Sequence, residues 1–382
     1  MDAVLSHANA TPESLASWQA IDLSRSIPPQ PSLFTPMLQE SLERLACRRD
    51  IGLLLRNSTA GGTAGDRSAA RLWLRSRLPL DMLDERVLVC NGTQAALLLL
   101  FEALVGQGGL LAAEALSYGV LSQLAARAHI RVCGVELDDH GIDPSSFEAV
   151  CRRHRPKALY CNPTVHNPTA SIMPEDHRQA IVDIARHYGV AIIEDEPLGC
   201  LHPEAPAPIA AMAPDITWYV AGVTKGLAHG FRIAYLVGPS EREIQEIASA
   251  VGRLSYWFPS ALSAAVLRDW IESGSADQIR TAISEEAKIR QKMASDILVG
   301  LDLTLREGAL HGWLMLPQKL DRRELVQKLA QNNVFIRQSD AFAVEPHRRQ
   351  VNAVRISLSS PLDRQDVVRG LGAIAKECQA SM

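Results

Sequence analysis

Between about Glu85 and Gly238 the chain alternates short β-rich runs with longer helical periods, and that alternation restricts it to an α/β fold with a mainly parallel sheet. Candidate strands run from Val87 to Cys90, Ile130 to Leu137, Ala158 to Cys161, Val190 to Glu194, Ile216 to Ala221 and Ile233 to Val237, all of buried-strand length. One helix between them is well marked. It opens at Pro174 with Glu175 and Asp176 in its first turn, carries Ile181, Ile184, Ala185 and Tyr188 on one face, and stops at Gly189. Open α/β sheets bind ligands beyond the carboxyl ends of their strands. The residues that follow each strand are therefore the candidate site.

The flanks frame this region. Pro28, Pro29, Pro31 and Pro36 around Ile27, Leu33 and Phe34 predict an extended arm laid over another part of the protein. Arg56 to Gly65 is a small-residue loop of the kind that often lines a site, and a helical stretch from Arg67 to Leu78 follows it. After Pro239 the pattern is helical to about Met293, with one break near Trp257-Phe258-Pro259. Short strands (Trp313 to Leu316, Val334 to Arg337, Ala353 to Leu358) and helices (Arg322 to Gln331, Asp363 to Glu377) then predict a smaller α/β lobe. The expected division is an arm over 1–45, a large domain over 46–285 and a small domain over 286–382.

Composition removes several functions. With 39 basic and 43 acidic side chains and no basic stripe, nothing supplies the counterion-release term for nucleic acid. The apolar stretch from Ala95 to Phe101 meets Glu102 far short of a bilayer span, so no membrane association is expected. The start, Met1-Asp2-Ala3-Val4-Leu5, lacks the pattern of a signal peptide, which predicts a cytoplasmic protein. Seven scattered cysteines without a Cys-x-x-Cys pair read as reduced thiols rather than disulfides or a zinc site.

After the first strand, Asn91-Gly92-Thr93-Gln94 opens a helix. Free amides at a helix N-terminus suit a phosphate, while Thr93 as a plain N-cap explains the same residues. After the third strand come two Asn-Pro pairs, at Asn162 and Asn167, with a lone loop histidine, His166, that reads as a bystander. Glu194-Asp195-Glu196 ends the next strand; three acids there repel, so at least one needs a positive partner, and no histidine pair accompanies them for a metal. The strand ending at Ala221 delivers Thr224-Lys225 and then Arg232. Only Lys157 and Lys225 precede Lys288, so a lysine here, where arginine otherwise carries the positive charge, suggests a need for an amine that loses its proton. An isolated residue of this kind would read as a solvated surface lysine.

In order and spacing, Gly92-Thr93-Gln94, Tyr118, Asn167-Pro168-Thr169-Ala170, Asp195, Lys225 and Arg232 resemble the class I/II aminotransferases of the fold-type I pyridoxal phosphate enzymes. The likeness is nearest to the aminotransferase-like domain of MocR regulators and to the 2-aminoadipate and kynurenine aminotransferases. It runs from about Ile21 to the C-terminus, with Ile21-Asp22-Leu23-Ser24-Arg25 similar to that family's arm and Val354-Arg355-Ile356-Ser357-Leu358 to its carboxylate-binding strand. The resemblance implies a seven-stranded-type sheet between helices, pyridoxal 5'-phosphate as cofactor, and transamination of an α-amino acid and a 2-oxo acid in a homodimer with a shared site. It also implies the roles. Lys225 would form the Schiff base and shuttle the substrate proton, Asp195 would bond the pyridine nitrogen, Tyr118 would stack on the ring, and Asn167 would donate to the phenolic oxygen. Gly92, Thr93, Gln94, Thr224 and Arg232 would hold the phosphate, and Arg355 the substrate carboxylate.

The chain departs from the family pattern at four places. Leu198 stands where a tyrosine is usual three residues after the aspartate, Gly222 where a serine precedes the lysine, and Ala170 where glycine closes the Asn-Pro-Thr turn. Asn57 or Ser58 stands near the partner's usual tyrosine. Two alternatives follow: another reaction on an unusual amino acid (decarboxylase, lyase, cyclase or oxidase), or a catalytically degenerate ligand-binding protein. About twenty residues before Ile21 are too few for the winged helix of a MocR regulator, so regulation through an attached DNA-binding domain is not expected.

Overall fold

The computed structural model describes residues 20–56, 58–83, 85–250, 252, 254–345 and 351–381. At its centre is a seven-stranded sheet: β1 (Val87–Cys90), β2 (Leu110–Glu114), β3 (Arg131–Val135), β4 (Ala158–Cys161), β5 (Ala191–Asp195), β6 (Thr217–Gly222) and β7 (Ala234–Val237). The spatial order is β1-β7-β6-β5-β4-β2-β3, with β7 antiparallel to both neighbours and every other pair parallel. The carboxyl ends of the other six strands therefore share one edge. Strands β1, β4, β6 and β7 are buried at every residue, as a sheet covered on both faces requires. The helix Glu175–Tyr188 supplies part of one cover through Ile181, Val182 and Ala185, and ends on Gly189 at φ +66°, where glycine carries no steric cost.

The sequence pattern missed β2. Its Leu-Leu-Ala-Ala-Glu has neither β-branched nor aromatic residues and continues the apolar run of the preceding helix. The turn that separates them ends on Gly106 at φ +71° and Gly108 at φ +76°.

The extended stretch of the proline-rich arm is shorter than predicted. Ile21–Asp22 pairs in parallel with Val334–Phe335, Leu23 is buried in the core of the small lobe, and from Phe34 to Ala46 the chain is already helical. Pro36 sits in the first turn of that helix, where a missing N–H costs nothing. The small sheet comprises β8 (Asp302–Thr304), β9 (His311–Met315), β10 (Arg337–Gln338) and β11 (Ala353–Ser357), in the antiparallel order β8-β9-β11-β10. The single strand predicted from Val334 to Arg337 is thus two: its first half pairs with the arm and its second with β11. The helix Ser275–Ile297 runs unbroken between the lobes, with Ile279, Ile283 and Ala287 in the large core and Ala294 in the small one. Among the described residues no helix is long and apolar enough to cross a membrane.

Candidate functional site

A cavity of about 310 Å³ lies at the shared carboxyl edge, walled by strand ends of the large sheet, by the small sheet and by the arm. It brings together Gly92, Thr93, Gln94, Tyr118, Asn167, Asp195, Thr224, Lys225, Arg232 and Arg355, all ten residues singled out in the sequence. The small-residue loop does not reach it. Gly61 and Gly62 instead lie against Leu88 and Val89 on the edge strand β1, where an added Cβ would come within 2.7 Å and 2.9 Å of those side chains. Ser58 is absent from the wall, and Asn57 lies outside the described residues.

Strand β1 runs through Asn91 into the helix Gly92–Leu100. Gly92 takes φ +78°, and Asn91 rather than Thr93 occupies the cap, its side chain donating to Tyr256 O at 3.3 Å and making no capping bond to the helix. The first amides of this helix have no partner within it and face the cavity with a favourable dipole. Gln94 Nε2 donates to Tyr118 Oη at 3.0 Å, fixing the ring that follows β2.

The two Asn-Pro turns after β4 act as a unit. Asn162 Nδ2 donates to the backbone oxygen of Asp195 at 2.6 Å, and its Oδ1 accepts from Asn167 N at 2.8 Å. Asn167 Oδ1 accepts from Arg355 Nη1 at 2.7 Å, which leaves the Asn167 amide group as a donor. Ala170 adopts φ +60° where glycine would be unstrained, anchored by its N–H donating to His166 O at 2.7 Å. His166 is buried, bonded through Nδ1 to Thr169 at 2.8 Å, and takes no part in the cavity wall.

The acidic triplet separates by role. Glu194 turns away to accept from the backbone amides of Ile209 and Ala210 at 2.9 and 2.8 Å, with Arg178 at 3.7 Å. Glu196 is buried on a fork from Arg77 at 2.8 and 3.1 Å and accepts from Tyr219 Oη. Burial pushes Glu196 up, but the Arg77 pair outweighs it and holds the carboxyl below its usual range. Asp195 alone faces the cavity. Tyr160 Oη donates to its Oδ2 at 2.8 Å, while the buried Oδ1 has no partner. Burial, with Glu114 and Glu196 nearby, raises Asp195 to about 7.

Removing one member of a buried pair strands the other charge. Arg77→Ala is therefore expected to destabilise the fold by about 3–5 kcal/mol, measured by urea unfolding, with the double variant Arg77→Met/Glu196→Gln recovering much of the loss.

Lys225 follows β6, and its Nζ donates to Ser26 O of the arm. Burial, then Arg355, Arg25 and Arg232, lower its amine to about 7 against the opposing pull of Asp195. Arg232 lies at the rim in a left-handed conformation, φ +52°. Arg355 on β11 is buried over the Phe342 ring, 4.9 Å from its centre, and its Nη2 donates to Ser24 O at 2.6 Å. Burial and Arg337 lower it to about 9.

Sequence reasoning missed Tyr160 and Arg337, and it named Asn162 only as part of a turn and Arg25 only as part of the arm. For Tyr160 a signal existed: a tyrosine in a fully buried strand must send its hydroxyl to a partner. For the two arginines only the fold shows that arm and small sheet meet at one cavity.

The family model for aminotransferase class I and II matches residues 63–374. The chain is 25% identical over 349 residues to the uncharacterized HTH-type transcriptional regulator YdeF of Bacillus subtilis, covering 91% of this chain and 74% of that protein. It is also 25% identical over 365 residues to the 2-aminoadipate transaminase of Thermus thermophilus, covering 91% and 87%. Among solved structures, the kynurenine aminotransferase of Pyrococcus horikoshii superposes with a TM-score of 0.85 at 21% identity, over 99% of this chain and 96% of that one.

Proposed function

The chain belongs to the class I and II aminotransferases, which are pyridoxal phosphate-dependent transferases of fold-type I, and from that premise we propose that it transaminates an α-amino acid with a 2-oxo acid, using Lys225 as its covalent amine. One observation carries this reading. Lys225 and Asp195 face one cavity from the ends of adjacent strands, the amine lowered to about 7 and the carboxylate keeping one buried oxygen unpartnered.

The residues present fit the cofactor. Oδ1 of Asp195 is an acceptor placed to hold a protonated ring nitrogen, Tyr118 offers a ring face, and Asn167 retains an amide donor for the phenolic oxygen. The amides of Gly92, Thr93 and Gln94, the Thr224 hydroxyl and Arg232 suit a phosphate. When bound, the cofactor supplies an electron sink for a carbanion at the substrate α-carbon. The chain does the rest. Arg355 takes the substrate carboxylate in a two-point pair and orients the α-carbon, and Lys225 Nζ, once released, removes and returns the α-proton. Leu198 supplies an apolar wall in place of a hydroxyl donor, so Asn167 is the protein's donor to the phenolic oxygen.

Gly222 and Thr93 are coupled. A Cβ at 222 would lie 2.8 Å from Thr93 Cγ2. Gly222→Ser alone is expected to weaken cofactor affinity several-fold, whereas Gly222→Ser with Thr93→Ser removes the obstructing methyl and tightens it beyond wild type, both measured by fluorescence titration.

The reading extends to assembly and compartment. A homodimer is supported by exposed Leu53, Leu55, Leu254, Tyr256 and Leu262. The helix Ile51–Arg56 packs on Ala261–Ser273, and the turn Ser255–Trp257 packs on the phosphate-facing helix, which places this apolar surface beside elements of the large domain that carry the site. Seven free cysteines fit a reducing cytoplasm. The arm, large domain and small domain are proposed to divide at 45 and 285, the last within the helix that joins the lobes.

The direct test is borohydride reduction of cofactor-loaded protein followed by peptide mapping. A phosphopyridoxyl group on Lys225 supports the reading, and labelling elsewhere overturns it.

A further inference from the structure

Parallel strands are joined by crossovers, so each connecting helix brings the chain back to the amino edge of the sheet, opposite the edge that carries the cavity. Three helices end there: Leu121–Arg127 before β3, Pro144–His154 before β4 and Glu175–Tyr188 before β5. Each finishes on basic residues, Arg127 in the first, Arg152 and Arg153 in the second and Arg186 in the third. The turns that follow add Arg131, Arg155 and Lys157, and all of these residues are exposed. Arg131 pairs with Leu110 of β2, and Lys157 N donates to Leu110 O at 2.9 Å, so two of the cations flank one residue of the sheet. From β5 to β3 the row spans about 14 Å, three inter-strand spacings.

A helix dipole accounts for a cation at each carboxyl end. It does not account for a second arginine on one helix or for cations on the turns beyond. Arg186 meets Asp215 at 2.7 Å, whereas the other six form no ion pair among the described residues. A chain with 43 acidic against 39 basic side chains has no general surplus of positive charge, so the fold concentrates it here. Composition argues against nucleic acid because it averages over the chain; only the sheet brings 127–131, 152–157 and 186 together.

The chemistry of the face selects its partner. None of the large exposed apolar side chains lies on these segments. A protein interface needs an apolar centre inside its polar rim, and a membrane anchor needs apolar side chains to insert. A phosphate backbone needs cations alone. Single-strand sites add aromatic platforms for the bases, and no exposed phenylalanine, tyrosine or tryptophan lies here, which favours a duplex. The helices meet the face with their carboxyl ends, so side chains carry the contact and the bases go unread. We propose that this amino-edge face binds the phosphate backbone of a nucleic acid duplex without regard to sequence.

The test is the anisotropy of a short fluorescent duplex of arbitrary sequence, titrated with cofactor-loaded protein at several salt concentrations. The logarithm of affinity should fall against the logarithm of salt with a slope of about −5, from about six phosphate contacts at about −0.9 each. Arg152→Gln and Lys157→Gln should each weaken binding to every duplex sequence alike and reduce that slope by about one. The triple variant Arg152→Glu/Arg153→Glu/Lys157→Glu should weaken binding by about a hundred-fold or more at low salt. Lys292→Glu, an exposed lysine on the helix between the lobes, should change nothing, and melting curves establish that each variant is folded. Lys225→Ala should bind the duplex as wild type does, so the result is independent of the chemistry at the cavity. No binding at low salt, binding untouched by the triple variant, or an equal loss in Lys292→Glu overturns the proposal. Tighter binding of polyglutamate, of phosphatidylserine vesicles or of a single strand than of the duplex also overturns it, and assigns the face to that partner instead.

Discussion

Lys225→Ala is expected to lose turnover on every amino acid by about a million-fold, the scale on which removal of a covalent nucleophile is felt. Lys225→Arg should fare no better, because a guanidinium keeps its charge and forms no imine with an aldehyde. The fold explains why the lysine works near neutrality. Burial comes first, then three arginines, and together they bring the amine from its usual range to about 7. Below that pH the amine is protonated and not nucleophilic; above it, free. Cofactor uptake, followed by stopped-flow absorbance, should therefore accelerate as pH rises through about 7 and level off above 8. Steady-state kcat/KM on the variants checks the first expectation, and a loss smaller than about a hundred-fold would remove Lys225 from the chemistry.

Asp195→Asn should cost about a thousand-fold in turnover, as expected when the group opposite a developing charge is neutralised. The asparagine can still accept from Tyr160, so the loss is electrostatic rather than structural. The same substitution should stabilise the cofactor-free protein. Asp195 is raised to about 7, so the folded state holds its proton more tightly than the unfolded chain. The wild type therefore loses stability as pH rises from about 4 to about 7, and the asparagine variant escapes that loss. At pH 7 and above the gain approaches about 4 kcal/mol, since each tenfold change in proton affinity is worth roughly 1.4 kcal/mol; near pH 4 it vanishes. Lys225 works in the opposite direction. Its lowered value makes folding release a proton, so wild-type stability recovers between about 7 and about 10.5, and the cofactor-free protein is least stable near neutrality. Melting curves across that range measure both limbs. This is the trade expected of a site kept poor for folding and good for binding.

Much of this was visible in the sequence because the site hangs on strand ends. The runs Val87–Cys90, Ala158–Cys161 and Ala234–Val237 announce themselves by apolar composition, and each residue just beyond such a run is placed as soon as the sheet is recognised. Lys225 stood out by the scarcity of lysine around it, whereas Arg355 was reached only through the family resemblance of the run Val354 to Leu358. Strand β2 was hidden because Leu-Leu-Ala-Ala suits a helix equally well, and only burial between β3 and β4 makes it a strand. The fate of Glu194 and Glu196 depended on Arg178 and Arg77, the second more than a hundred residues away in the chain, and no local pattern reports such a pair. Arg25 and Arg337 are more distant still, and their meeting is a property of the arm crossing from one lobe to the other.

The central claim, that this cavity exchanges an amino group through Lys225, is tested most directly by a half-reaction without acceptor. Cofactor-loaded protein is mixed with excess amino acid and no 2-oxo acid, and released 2-oxo acid is counted against active sites. One equivalent per site, followed by arrest until a 2-oxo acid is added, is the predicted result. Continued product formation without an acceptor would show a decarboxylase, lyase, cyclase or oxidase at work, and no product at all from any amino acid would leave a binding protein; either outcome contradicts the transaminase.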